Sequence, residues 1–179
     1  MVKAYCGVGS RSTPAPILDA MSRVAERLAG LRHHLRSGGA DGADKAFERG
    51  AGCGGGTADI FLPWPGFNWY PKEPTSGSLS TYPSPTEAAV QIAQRHHPAW
   101  RTLTRPVRRL MARNVHQVLG YDCDTPASFV LCWTPDGAET VTTAKTGGTG
   151  MAIRVAVAHG VPVVNMALDG WESRLAALL

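Results

Sequence analysis

Three short strand-forming runs in this chain each lead into a cluster of glycines followed by a stretch with helical spacing. The first runs from Lys3 to Val8 and ends in Gly7-Val8-Gly9-Ser10-Arg11. The second, His33-His34-Leu35-Arg36, enters Ser37-Gly38-Gly39-Ala40-Asp41-Gly42. The third, Phe129-Val130-Leu131-Cys132-Trp133, is followed after a loop by Thr146-Gly147-Gly148-Thr149-Gly150. Strand, turn and helix repeated in this way build a parallel sheet covered on both faces. Such a sheet brings its strand-to-helix turns to one edge, where ligands bind if the strand order reverses. Glycines let the backbone come close to a guest, and the free N–H groups of a helix N-terminus favour an anion, most often phosphate. The alternative is a set of tight turns holding nothing. Convergence of three turns at one edge weighs against it, because a purely structural turn needs no partner there.

The remaining chain fits the same plan. Pro14 and Pro16 open a helix, proline being tolerated in a first turn, and Ile17, Met21, Val24, Leu28 and Leu31 follow at helical spacing. A second helix carries Ala43, Ala46 and Phe47 and ends near Gly50. A third strand, Ala58 to Pro63, is stopped by its proline. Residues 64–85 are rich in Pro, Ser, Gly and aromatics with no period, and are expected to form a surface excursion, a candidate lid. Within it Trp64, Trp69 and Tyr70 either stack on a base or fasten the loop to the body, the second role being the commoner. Helices are expected over 87–96 and 105–119, a fourth strand over 127–133, a helix from Ala152 to His159, a fifth strand over 161–166 and a last helix over 171–179. The expectation is one Rossmann-like, doubly wound α/β domain spanning 1–179, with a mostly parallel sheet of about five strands.

Composition narrows the function classes. The formal charge of +4 is compatible with phosphate ligands or nucleic acid. No apolar run is long enough to span a membrane, and the first residues do not read as a signal peptide, so a cytoplasmic protein without membrane partners is expected. Cys6, Cys53, Cys123 and Cys132 form no CxxC pair and are expected to be reduced. No Cys or His spacing supports a metal site, and no cofactor is expected.

Gly9-Ser10-Arg11, Ser37 to Asp44, Arg113-Asn114 and Gly147-Gly148-Thr149-Gly150 together resemble the SLOG superfamily. That superfamily includes the Rossmann-like DNA-processing protein DprA (Smf), the "lysine decarboxylase-like" LOG phosphoribohydrolases, and ligand-sensing domains of bacterial defence proteins. The first two motifs and the Arg-Asn pair look most like DprA, and Gly147 to Gly150 looks more like the GGxGT of LOG enzymes. The resemblance implies a nucleotide-derived small molecule (a nucleotide, cyclic nucleotide or ADP-ribose-like compound) held as by a sensor or sponge. It implies that Gly9, Ser10 and Arg11 lie by the phosphate or base, that Ser37, Gly38, Gly39 and Asp41 line the floor, that Arg113 and Asn114 reach in, and that Gly147, Gly148, Thr149 and Gly150 take phosphate. Pairing through helices is common in the family, which implies a homodimer or higher. The glutamate that closes the LOG GGxGTxxE motif is replaced here by Arg154.

Two alternatives remain at this stage. In an N-glycosidic hydrolase of the phosphoribohydrolase type, Asp41, Asp44 or Asp136 activates water and Arg113 holds phosphate. Each aspartate also has a structural reading, Asp41 and Asp44 as helix N-terminal caps and Asp136 as part of an Asp-Gly turn. In a DprA-like single-stranded DNA binder, Arg105, Arg108, Arg109 and Arg113 form a stripe along the DNA backbone.

Overall fold

The computed structural model describes residues 3–179. Six strands, β1 (Ala4–Gly9), β2 (His34–Ser37), β3 (Ala58–Phe61), β4 (Leu79–Tyr82), β5 (Val130–Trp133) and β6 (Val163–Asn165), form one sheet in the order β4-β3-β2-β1-β5-β6. Every neighbouring pair is parallel. Six α-helices lie between or after them: α1 (Ala15–Gly30), α2 (Ala43–Cys53), α3 (Glu87–His96), α4 (Arg105–Leu119), α5 (Thr149–Ala158) and α6 (Trp171–Ala176).

The central strands β1 and β5 are apolar on both faces, as a doubly covered parallel sheet requires. Cys6, Val8, Val130 and Cys132 point into a core closed by α3, α4 and α5 through residues such as Ala93, Val115 and Ala152. Their alternate neighbours Tyr5, Phe129 and Leu131 point the other way, with Leu35 of β2, into a core closed by α1 and α2 through Met21, Leu28 and Phe47. Period-two alternation thus divides β1, β5 and β6 between two apolar layers.

The chain builds β1 to β4 outward in one direction and then returns, placing β5 on the other side of β1. The strand order therefore reverses between β1 and β5, where the carboxyl ends of a parallel sheet leave a crevice.

Two expectations need correction. The sheet has six strands, not about five. The extra one, β4, lies inside the supposed excursion and pairs along β3 from Leu79 to Tyr82. The helix expected from Ala152 to His159 begins earlier: Thr149 and Gly150 are already helical, so the glycine motif is both turn and first turn of α5. The rest of the 64–85 segment is fastened to the body. Phe67 is buried and meets Trp64 edge to face, and the Tyr70 hydroxyl bonds Glu48 and Lys45 of α2. No described helix is long and apolar enough to cross a membrane.

Candidate functional site

Between the carboxyl ends of β1 and β5 lies a cavity of about 390 Å³. Its walls are Gly9 to Ser12 from the β1 turn, Pro135 after β5, Lys145 to Thr149 at the entrance to α5, and Leu110, Met111, Arg113 and Asn114 from α4; Ala40 closes it from the second glycine turn.

Each wall is set by local hydrogen bonding. In the β1 turn, Ser10 Oγ accepts from the Ser12 N–H (3.1 Å), and the Ser10 carbonyl accepts from the Thr13 hydroxyl (2.7 Å). Ahead of α5, Thr143 and Thr146 form a reciprocal cap: Thr143 Oγ1 accepts from the Lys145 N–H (3.1 Å), and Thr146 Oγ1 accepts from the Thr143 N–H (2.8 Å). Both hydroxyls donate to Asp136 Oδ2, at 2.9 and 2.6 Å. Desolvation, the largest single influence, pushes the Asp136 carboxyl up, but the hydroxyls of Thr146, Thr143 and Thr134 and the Ala138 N–H together outweigh it and hold it at about 2. Asp136 is therefore the fastening of the turn that aims α5, and it does not line the cavity.

At the start of α5 the N–H groups of Gly148 and Thr149 have no acceptor among the described residues. They are the orphan donors that any helix N-terminus leaves. Asn114 Nδ2 donates to the Gly148 carbonyl (2.9 Å), tying α4 to this end of α5. That orientation leaves Asn114 Oδ1, buried in the cavity wall, without a partner in the protein. A buried amide oxygen left so costs roughly 1–3 kcal/mol. The side chains of Arg11 and Lys145 add positive charge at the rim, and no described residue of the lining is a carboxylate.

The second glycine turn lies behind the cavity. Ser37 is buried and donates its hydroxyl to the Gly7 carbonyl (2.7 Å). Arg113 reaches from α4 to the Gly38 carbonyl and to Asp44 Oδ2 (3.2 Å), and the Ala40 N–H donates to the same carboxylate oxygen (3.2 Å). A Cβ on Gly38 would sit 1.8 Å from Arg113 Nη1, so the glycine makes room for the guanidinium. Burial pushes the Asp44 carboxyl above its ordinary value, opposed by the pull of Arg113. Gly42, at φ +83°, lets the two turns touch, since a Cβ there would come within 2.9 Å of the Arg11 Cα.

The structure therefore brings Gly9, Ser10, Arg11, Arg113, Asn114, Gly147, Gly148 and Thr149 together around one cavity. It places others elsewhere. Ser37, Gly38 and Gly39 do not form the floor: Arg113 covers Gly38, Tyr70 covers Gly39, and Ser37 is buried against the Gly7 carbonyl. Asp41 accepts from Asn68 Nδ2 (3.0 Å). Asp44 is enclosed in its ion pair. The Gly150 N–H is taken by the Gly147 carbonyl (3.1 Å). None of the three candidate carboxylates faces the cavity. Lys145 was not foreseen, although it immediately precedes Thr146 of the glycine motif; Ser12, Pro135, Leu110 and Met111 carried no signal of their own.

The arginine stripe is also divided. Arg113 is buried, whereas Arg105, Arg108 and Arg109 line a second cavity of about 380 Å³ with Glu87 and Trp100. Arg108 lies over the Trp100 ring and donates to the Trp100 and Arg101 carbonyls; Arg109 donates to Ser84 Oγ (3.2 Å). Among the described residues no cluster of His, Cys, Asp and Glu could hold a metal ion.

No protein-family model matches the chain, and no curated protein sequence does. Two solved structures are similar in fold. The X-ray structure of DNA processing protein A (DprA) from Streptococcus pneumoniae superposes with a TM-score of 0.56 at 18% identity, over 99% of this chain and 56% of that one. DNA processing protein A from Helicobacter pylori, a structure described for its single-stranded DNA binding mode, gives 0.54 at 14% identity, over 98% of this chain and 72% of that one. The chain thus has the Rossmann-like fold of DprA, and spans little more than half the length of the first of these proteins.

Proposed function

We propose that this chain binds single-stranded DNA at the carboxyl edge of its sheet, seating a backbone phosphate in the cavity between β1 and β5. The observation that carries the reading is the pair of free N–H groups of Gly148 and Thr149, two residues lining a cavity with cationic side chains and no carboxylate in its wall. A helix N-terminus with unpaired donors suits phosphate without further help, and Arg11 and Lys145 add charge-assisted contacts. The arginines of the second cavity, on the first turns of α4, extend the basic surface beyond one phosphate. The likeness in fold to a protein described for binding single-stranded DNA favours a polymer over a free ligand.

A second reading, a free nucleotide-derived small molecule, is favoured by the cavity volume, which falls within the roughly 300–1,000 Å³ of small-molecule sites. N-glycosidic hydrolysis draws no support from the lining, since Asp41, Asp44 and Asp136 are engaged elsewhere and nothing left in the wall would activate water.

Binding of a fluorescein-labelled oligothymidylate, followed by anisotropy over a range of salt, tests the proposal. The expected result is binding that weakens steeply with salt and is lost in Gly148→Asp. Gly148 has helical φ and ψ, and the nearest atom to an added Cβ is Met111 Cε at 3.6 Å, so the aspartate is accommodated. It also suits a helix N-cap, while its charge opposes phosphate and weakens binding about a hundredfold or more. Failure to bind DNA, together with tight binding of a mononucleotide, would favour the second reading.

A further inference from the structure

Trp69 is 97% exposed, the most exposed large apolar side chain among the described residues. Water does not select such a position for an indole, and neither does the backbone. Asn68 (φ 49°) and Trp69 (φ 69°) both lie in the left-handed region, which asparagine tolerates and a bulky aromatic does not favour. Conformations of this kind persist where the surroundings impose them, and they cluster at ligand clamps.

The surroundings here are rigid. Phe67 is buried beneath the loop. Asn68 Nδ2 donates to the Gly39 carbonyl (2.9 Å) and to Asp41 Oδ1 (3.0 Å). Tyr70 is held by Glu48 and Lys45. Trp69 is the one residue of Phe67 to Tyr70 that is turned outward, between three that are tied down. The loop follows β3, so it stands on the same carboxyl edge as the phosphate site. It rests on the turn Gly39–Gly42, of which Ala40 lines the cavity and Gly42 packs against the Arg11 backbone. The loop that carries Trp69 is therefore joined, through this turn, to the wall of the cavity.

We infer that Trp69 is a stacking platform for a nucleobase of the DNA strand whose phosphate lies in the cavity; this rests on the reading under Proposed function. A nucleobase is the occupant because the loop that carries the platform rests on the turn Gly39–Gly42, which adjoins the phosphate cradle and the Arg11 backbone. The nearby carboxylates are already engaged, Asp41 by Asn68 and Glu48 by Lys45 and Tyr70. Stacking on an exposed indole is tolerant of sequence, as every base has a π face.

The test compares the wild-type chain with Trp69→Ala, Trp69→Phe and Gly148→Asp, using labelled oligothymidylate and thermal melts as a check on folding. Trp69→Ala weakens binding by about five- to 150-fold and abolishes most of the quenching of tryptophan emission on titration. Trp69→Phe, which keeps a ring, recovers part of the affinity. Neither variant changes the slope of affinity against salt, because no charge is lost, whereas Gly148→Asp changes both affinity and slope. Wild-type affinity and quenching in Trp69→Ala overturn the platform and leave the phosphate site standing. A wild-type chain that fails to bind oligothymidylate overturns both.

Discussion

Arg113 and Asn114 adjoin in sequence and are both buried, yet they serve different parts of the structure. Arg113 joins α4 to Gly38 and Asp44, while Asn114 joins α4 to the first turn of α5. The Arg-Asn pair was legible as a motif. Its division was not, because Asp44 is 69 residues from Arg113 and Gly148 is 34 from Asn114. Arg113→Met should lower stability by about 3–5 kcal/mol by stranding the buried Asp44 carboxylate; denaturant unfolding measures it, and adding Asp44→Asn should recover much of the loss. A second prediction concerns His116, stacked between Phe61 and Tyr121. Its Nε2 accepts from the Thr86 N–H (3.1 Å), which assigns the proton to Nδ1, facing the Gly120 carbonyl (2.9 Å). Burial lowers its pKa, against the smaller opposing pulls of Gly120 and Asp122. The unfolded chain protonates such a histidine near pH 6.5. Below that pH the unfolded state holds more protons, so stability is full above about 6.5 and falls as the pH drops through the folded value. His33, His96 and His97 are lowered too, with burial the largest cause in each, and share this slope. His116→Gln should flatten the fall below about pH 6.5; an unchanged slope would assign it to the others.

At the scale of elements, what could be read from the chain was periodicity, and what could not was docking. α1, α2, α3 and α4 stand where their apolar spacing places them, and five of the six strands follow apolar runs. Strand β4 escaped because Leu-Ser-Thr-Tyr, set among Pro, Ser and Gly, has no pattern of its own and is a strand only by pairing with β3. The glycine turns showed where the backbone comes close to something, but not to what. At Gly148 the neighbour is an open cavity, at Gly9 it is Ala43 of α2, and at Gly38 an arginine from the same chain. Gly50 shows the same ambiguity: it was read as a helix end, and its added Cβ would meet the Ser22 carbonyl oxygen at 2.0 Å across the α1–α2 contact. Gly50→Val should therefore destabilise by about 1–3 kcal/mol through overpacking, seen as a lower thermal midpoint with oligothymidylate affinity unchanged below it.

For the whole molecule, the reversal of strand order between β1 and β5 is what joins parts remote in sequence. The β1 turn, the middle of α4 and the start of α5 meet only because β5 returns to the side of β1. The place of this meeting followed from the sequence, since a parallel sheet has one edge for all its turns. Its chemical balance did not: the withdrawal of Asp41, Asp44 and Asp136 from the cavity depends on hydrogen bonds that no spacing announces. The account stands on phosphate meeting the first turn of α5. An ¹H–¹⁵N NMR titration with oligothymidylate measures that contact most directly. The Gly148 and Thr149 amide resonances should move first and furthest, in step with Arg11, and the Thr149 resonance should stay in place in Gly148→Asp at the same DNA concentration. Saturating binding that leaves both amides unshifted would contradict it.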